Sequence, residues 1–181
     1  GRSLDMIPDS SIDLAFSFDS LVHVESDVIA TYLHQLSAKL TPNGVGILHH
    51  SNLGAYRRQF WFRKVPLVRS LVKRHRGDSC QTHGRTFSVT AARFDQLADE
   101  TGLKCISQEL INWKSELLTD CISIFTPTGS AWSTANRLRQ NPHFMAEAAA
   151  IRNAPAMVDC AVAAEPTMAA QGGWFRYPQA A

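Results

Sequence analysis

"SIDLAFSFDSLVHVESDVIATYLHQLSAKLTPNGVGILHHSN", Ser11 to Asn52, decides the fold class of this chain. It opens on a compact apolar run, Ser11–Phe18, bounded by Asp9-Ser10 and Asp19-Ser20. The length and near-continuous hydrophobicity of that run predict a strand covered on both faces. In "ESDVIATYLHQLSAKL", Val28, Tyr32, Leu36 and Leu40 recur at helical spacing, with Ile29 and Leu33 beside them. Ser26 or Asp27 is placed to cap the start of that helix, and "TPNG", Thr41–Gly44, to stop it. "VGIL" then reads as a second strand. Strand, helix, strand is the order of a parallel βαβ unit, which puts the chain in the α/β class.

Both strands run into polar residues. The first ends in "SFDS" with His23 a few positions on, the second in "HHSN". Ligands of open α/β sheets collect beyond the carboxyl ends of the parallel strands. Topology alone therefore gathers Ser17, Asp19, His23, His49, His50 and Asn52 on one rim. The plainer alternative is that Asp19 and Ser20 make a turn, His23 caps a helix and one histidine is simply buried.

Outward from this unit the rhythm changes. "YRRQFWFRKVPLVRSLVKRHR" predicts a helical insertion across 54–84, with Trp61, Val65, Val68 and Val72 on one face and a kink at Pro66. "SVTAARFDQLADETG" restores a regular helix, capped by Ser88 or Thr90, with Phe94, Leu97 and Ala98 inward and Gly102 as terminator. "KCISQELINW" and "LTDCISIFTP" read as two antiparallel strands joined near Lys114–Glu116. "ANRLRQNPHFMAEAAAIRN" is expected to form helix on either side of Pro142, and the tail rich in Ala, Pro and Gly to be loosely held.

The totals are those of a globular domain: 181 residues, 45% apolar, 19% charged and 9% aromatic. No run approaches the roughly 18 apolar residues of a membrane span. Cys80, Cys105, Cys121 and Cys160 show no CxxC spacing and read as reduced cytosolic thiols. The net charge of +2 is unevenly spread. Asp5, Asp9, Asp13, Asp19, Glu25 and Asp27 face a single Arg2 in the first 27 residues, whereas Arg57 to Arg76 holds eight arginines and lysines. That basic segment suits an anionic or membrane-associated partner, and nothing points to a specific nucleic acid. No GxSxG, P-loop or GxGxxG is present, and neither Asp19/His23/His49 nor His75/Cys80/His83 has a metal-ligand spacing.

Taken together, "GRSLDMIPDSSIDLAFSFDSLVHV" resembles the middle of an S-adenosylmethionine-dependent methyltransferase of the Rossmann-like class. Gly1, Leu4, Pro8, Asp9, Ser11, Asp13 and Leu21-Val22-His23 fall on the family's G-x-x-L…P-D-x-S-x-D passage and its following L-x-H. "LSAKLTPNGVGILHH" is similar to its helix, turn and fifth strand, and Ser88–Pro127 to a finish whose last strand is antiparallel. The resemblance implies a partial Rossmann-like methyltransferase sheet over 1–127, lacking the N-terminal βα units, with 128–181 as a helical extension and flexible tail. Starting at once in structured-looking sequence, the chain is expected to be the C-terminal portion of such a domain.

Carried over position by position, Arg2, Ser3 and Leu4 would lie beside the adenine of S-adenosylmethionine. Ser17, Phe18, Asp19 and His23 would face its methionine half, and His49, His50 and Asn52 a small-molecule or glycan acceptor. "HGRTFS" brings His83 and Arg85 to the same region. A proton acceptor for the acceptor hydroxyl is then His49 or His50, ahead of Asp19. The glycine-rich loop and ribose-binding acid of the family have no counterpart here. On that basis the chain alone binds the methyl donor poorly, and the edge of Ile12–Phe18 invites pairing with another chain. The alternative function is a non-catalytic remnant that meets an anionic partner or membrane surface through the basic insertion.

Overall fold

In the computed structural model, which describes residues 3–63, 84–113 and 116–154, the first apolar run becomes β1 (Ile12–Leu21) and the helical run α1 (Ser26–Lys39). The chain returns in β2 (Leu40–Ser51), parallel to β1. The expected βαβ unit is present, with two local differences. At the start of α1 the N-cap position is Glu25, with no side-chain cap bond, and the Ser26 amide donates instead to Ser88 Oγ at 2.9 Å. A tertiary partner thus satisfies an amide that the helix itself leaves open. At the other end, α1 stops at Lys39, and Thr41–Gly44 lies within β2 rather than forming a turn before it. The parallel ladder jumps from Ile12–Leu40 to Leu14–Val45, so these four residues bulge from the pairing. Pro42, with no amide to donate, suits that excursion.

A 3-10 turn (Leu53–Tyr56) and α2 (Arg57–Arg63) follow. Pro66, Val65, Val68, Val72 and the link at Lys114 lie outside the described residues. In α2 the Phe60 ring meets Phe87 edge-on at 5.4 Å, while Trp61 is 63% exposed, so Phe60 takes the inward place expected of Trp61. The next helix, α3 (Ala91–Glu100), matches its sequence. Thr90 Oγ1 accepts the Arg93 amide, Phe94, Leu97 and Ala98 are buried, and Gly102 ends it at φ 78°.

Two strands then form an antiparallel pair, β3 (Leu103–Ile111) and β4 (Asp120–Pro127). β4 inserts between β3 and β2, antiparallel to both. The segment before Pro142 is not helix but β5 (Arg137–Asn141), parallel to β3 on its outer side. "RLRQN" is too short to show a period, and its ends are tied by tertiary bonds. Asn136 Nδ2 donates to Gln108 Oε1, and Asn141 Nδ2 to Glu109 Oε1. The result is an open five-stranded mixed sheet in the order β1-β2-β4-β3-β5, with parallel and antiparallel pairs, an α/β fold. The chain divides into a unit ending at Glu147 and a second beginning at Ala148. Of the second, 148–154 is described, and 148–153 is the later part of α4 (Phe144–Asn153). No helix among the described residues is long and apolar enough to cross a membrane.

Both α1 and α3 pack on the same face of the sheet. Ile29, Leu33 and Leu36 from α1 and Phe94, Leu97 and Ala98 from α3 share one core with Leu48, Cys105 and Phe125. Gly46 is required there, because a Cβ at this position would lie 2.1 Å from Phe125 Cζ. The opposite face is open at β1, where Leu14 and Phe16 are 59% and 66% exposed. The strand expected to be covered on both faces is covered on one, since α1 and α3 fall on the same side of the sheet. β1 is also an edge strand among the described residues.

Candidate functional site

Adjacent residues of a strand point to opposite faces of its sheet. This rule separates the two histidines that the sequence leaves equivalent. His50 turns toward the helices and His49 toward the open face, and both are fully buried.

His50 is part of the core. Its ring stacks on Phe94 with centroids 4.3 Å apart. Nδ1 lies 2.9 Å from the Ser51 carbonyl and must donate to it, so Nε2 is the acceptor and takes the Ser123 hydroxyl at 2.8 Å. Gln108 Nε2 in turn donates to Ser123 Oγ and to the Ala91 carbonyl. Burial pushes the imidazole down to about 4, the Ser51 carbonyl opposing. With both nitrogens engaged inside the core, His50 has no atom with which to accept a substrate proton. Its place is structural.

His49 is different. Nδ1 accepts the backbone amide of Asp19 at 3.1 Å, which puts the ring proton on Nε2. Nε2 faces Asp120 Oδ2 at 3.3 Å, an ion-pair contact too poorly aligned to be a formed hydrogen bond. Asp120 is itself held by Arg85, whose Nε donates to Oδ1 and whose Nη2 donates to Oδ2 at 2.6 Å. Burial alone would raise the Asp120 carboxyl, but the His49 contact and the hydrogen bonds and charge of Arg85 outweigh it and hold the group below its ordinary value. Phe18 and Trp113 close over the imidazole with centroids 4.6 and 5.8 Å away, and the Arg85 guanidinium sits 5.5 Å from the Trp113 ring centre. Of this cover, Phe18 is the outermost, 40% exposed.

The array exists because three strand ends meet at one edge. β1 and β2 finish there, and β4, running the other way, begins there, with Asp120 paired to Ser51. β1 adds a distortion of its own. Its ladder jumps from Ser17–Leu48 to Leu21–His50, and Asp19, in the bulge between, has φ 56°. Aspartate tolerates that left-handed conformation better than most residues, and bulges are frequent beside active sites.

The remaining expected site residues divide clearly. Asn52 and Arg85 do not face an acceptor. Asn52 is 3% exposed, donating to the Leu118 carbonyl at 2.9 Å and accepting the Ala91 amide at 3.0 Å, so it ties the β4 entry to α3. Arg85, 7% exposed, is consumed by Asp120. His23 is exposed, near Gly84. Leu4 and Ser17 line one cleft of ≈380 Å3 with Ile7, Ser20 and Tyr32, whereas Ser3 is exposed and accepts the Asp5 amide. Arg2 and His83 lie outside the described residues. Among the described residues no three His, Cys, Asp or Glu side chains are grouped to hold a metal ion.

Asp120 and Trp113 were not expected. The sequence held one signal for Asp120: in "LTDCISIF" an acid heads an apolar strand, the mirror of "HHSN" ending one. Only the insertion of β4 beside β2 makes the two meet.

No family model matches the chain, and no curated protein does. Among solved structures, it is similar to that of the PH0226 protein from Pyrococcus horikoshii OT3, at 17% identity and a TM-score of 0.45 over 70% of this chain. The chain spans 56% of the length of that structure.

Proposed function

We propose that this chain forms the acceptor-side part of an S-adenosylmethionine-dependent methyltransferase domain, acting on a hydroxyl of a small or sugar-like molecule. The observation that carries the reading is the Arg85–Asp120–His49 array at the carboxyl rim of β1 and β2. Further support is the antiparallel β4, since the resemblance in sequence implies a last strand of that direction.

Arg85 fixes the Asp120 carboxylate, and Asp120 faces the Nε2 proton of His49. Nδ1 is then the acceptor nitrogen, on the side of the β1 end. A hydroxyl that takes the place of the Asp19 amide at Nδ1 gives its proton to that nitrogen, and the resulting imidazolium is stabilised by Asp120 across the ring. Phe18 and Trp113 keep water from the imidazole, which strengthens that electrostatic support. Methyl transfer otherwise depends chiefly on alignment of the two reactants. S-adenosylmethionine, when bound, supplies the electrophilic methyl group.

The cleft beside β1 fits only part of that cofactor. Leu4, Ile7, Leu36 and Tyr32 offer an apolar bed, and Ser17 and Ser20 offer hydroxyls, but no carboxylate or arginine lines it. This cleft therefore offers no charged partner to the ribose hydroxyls or the methionine carboxylate. In this reading those contacts come from a further glycine-rich strand–loop–helix joined at the free edge of β1.

Calorimetric titration of S-adenosylmethionine should accordingly give no measurable heat of binding with the 181-residue chain alone. Saturable binding should appear once a polypeptide carrying such an N-terminal half is supplied. The reconstituted protein should then transfer methyl to hydroxyl acceptors, and His49→Ala should lower kcat by about 10²–10⁴-fold, the range for loss of a general base. Absence of binding after reconstitution would sink the proposal.

A second reading has its own observation. On α2, Arg57, Arg58 and Trp61 are exposed together while Phe60 anchors the helix. A basic, Trp-bearing face suits an anionic lipid surface, each basic residue near it adding about 1 kcal/mol. The chain should co-sediment with phosphatidylserine vesicles and not with neutral ones, and Arg57→Glu with Arg58→Glu should weaken this by about tenfold or more. Equal sedimentation of wild type and variant would rule that surface out.

A further inference from the structure

His49 has one acceptor nitrogen, and a backbone amide occupies it. The amide belongs to Asp19, the residue held at φ 56° in the β1 bulge. A neutral imidazole accepts this N–H; an imidazolium, protonated on Nδ1, presents a second donor to it and cannot. Two donors 3.1 Å apart in a dry site are mutually repulsive, so one must leave. Between the two, the bulge is the movable part. Asp19 is exposed and its strand is a sheet edge, whereas His49 is buried and paired with Ile122 in the β2–β4 ladder.

We propose that the Asp19 bulge is a proton-operated latch on His49, closed while the ring is neutral and released when Nδ1 takes up a proton. Release relieves the left-handed conformation of Asp19 and lets its carboxylate replace its amide as the partner of Nδ1. The groups that face His49 set the balance. Asp120 from β4 favours the proton, and Arg85, lying beyond that carboxylate, disfavours it. Asp19 from β1 favours it once its carboxylate can turn inward. Phe18 and Trp113 are uncharged, and His50 points to the other face and stays neutral above about pH 4. Closure is thus present above the His49 midpoint and lost as pH falls through it. The latch needs no methyl donor, although it closes over the nitrogen that the proposed reaction uses as its base.

The test is nuclear magnetic resonance of the whole 181-residue chain, isotopically labelled and free of ligand. Above the midpoint, long-range imidazole spectra should show His49 protonated on Nε2 only. On acidification the Asp19 amide should shift and lose protection against hydrogen exchange with the same midpoint as the ring. Asp19→Gly should lower that midpoint by about one pH unit, because glycine holds positive φ without cost and removes the carboxylate. His49→Gln, which keeps an acceptor that does not titrate, should leave the Asp19 amide protected across the range. The proposal fails if the ring titrates while the Asp19 amide does not respond. It fails equally if Asp19→Gly leaves the midpoint unmoved or raises it, or if His49 stays neutral down to acid unfolding.

Discussion

Replacing Asp120 with alanine is expected to cost the fold about 3–5 kcal/mol, the penalty for breaking a buried ion pair from one side. The reason is Arg85. The residue is 7% exposed and its guanidinium makes two hydrogen bonds to Asp120, so the variant leaves a cation in the interior with no anion. His49 loses the carboxylate facing Nε2 at the same time. Urea unfolding at pH 7 measures the loss directly. The companion variant Asp120→Leu with Arg85→Met removes both charges and should recover most of it, because an apolar pair of similar volume avoids the desolvation that the ions incur. A loss below about 1 kcal/mol in Asp120→Ala would mean that water reaches Arg85, contrary to its burial.

Stability is also expected to fall between about pH 6.5 and pH 4, by up to about 3 kcal/mol, through His50 alone. The sign follows from where the proton binds. In the unfolded chain the imidazole takes up a proton near its ordinary value. In the folded chain burial delays that uptake to about 4, so within the window the unfolded state binds more protons and gains as pH falls. Above the window His50 makes no pH-dependent contribution. Asp120 acts in the opposite sense and lower down. Its carboxyl is held below the usual value, so its share is present above the unfolded carboxylate range and is lost only in stronger acid. His50→Gln should flatten the slope between pH 6.5 and 4 in equilibrium unfolding while leaving the acid limb in place. An unchanged slope would show that His50 is not the group responsible.

These two effects arise from residues that the sequence did not rank equally. His49 and His50 were both candidates for the same role, and Asp120 was not a candidate at all. The βαβ unit was legible because continuous apolar runs and a 3.6-residue period are local properties. So was α3, from the Thr90 cap to Gly102, where each signal sits within a turn of the feature it produces. β5 was not, because five residues with one leucine carry no period, and the segment is a strand only through the edge of β3. Thr41–Gly44 has the composition of a helix stop and is a bulge in a parallel ladder, a distinction set by β1 on the other side.

The sequence by itself determined that a parallel strand pair ends in polar residues on one rim, and that basic residues cluster after it. It could do so because hydrophobic periodicity dictates strand and helix, and βαβ handedness dictates which strand ends coincide. The tertiary structure decided which of those residues work together. The alternation of β2 sent His50 under Phe94 and His49 to the open face. Insertion of β4 between β2 and β3 brought Asp120 to His49 across a sequence separation that no local pattern encodes. Burial then made them partners, because a carboxylate, an arginine and a histidine shut from water must satisfy one another.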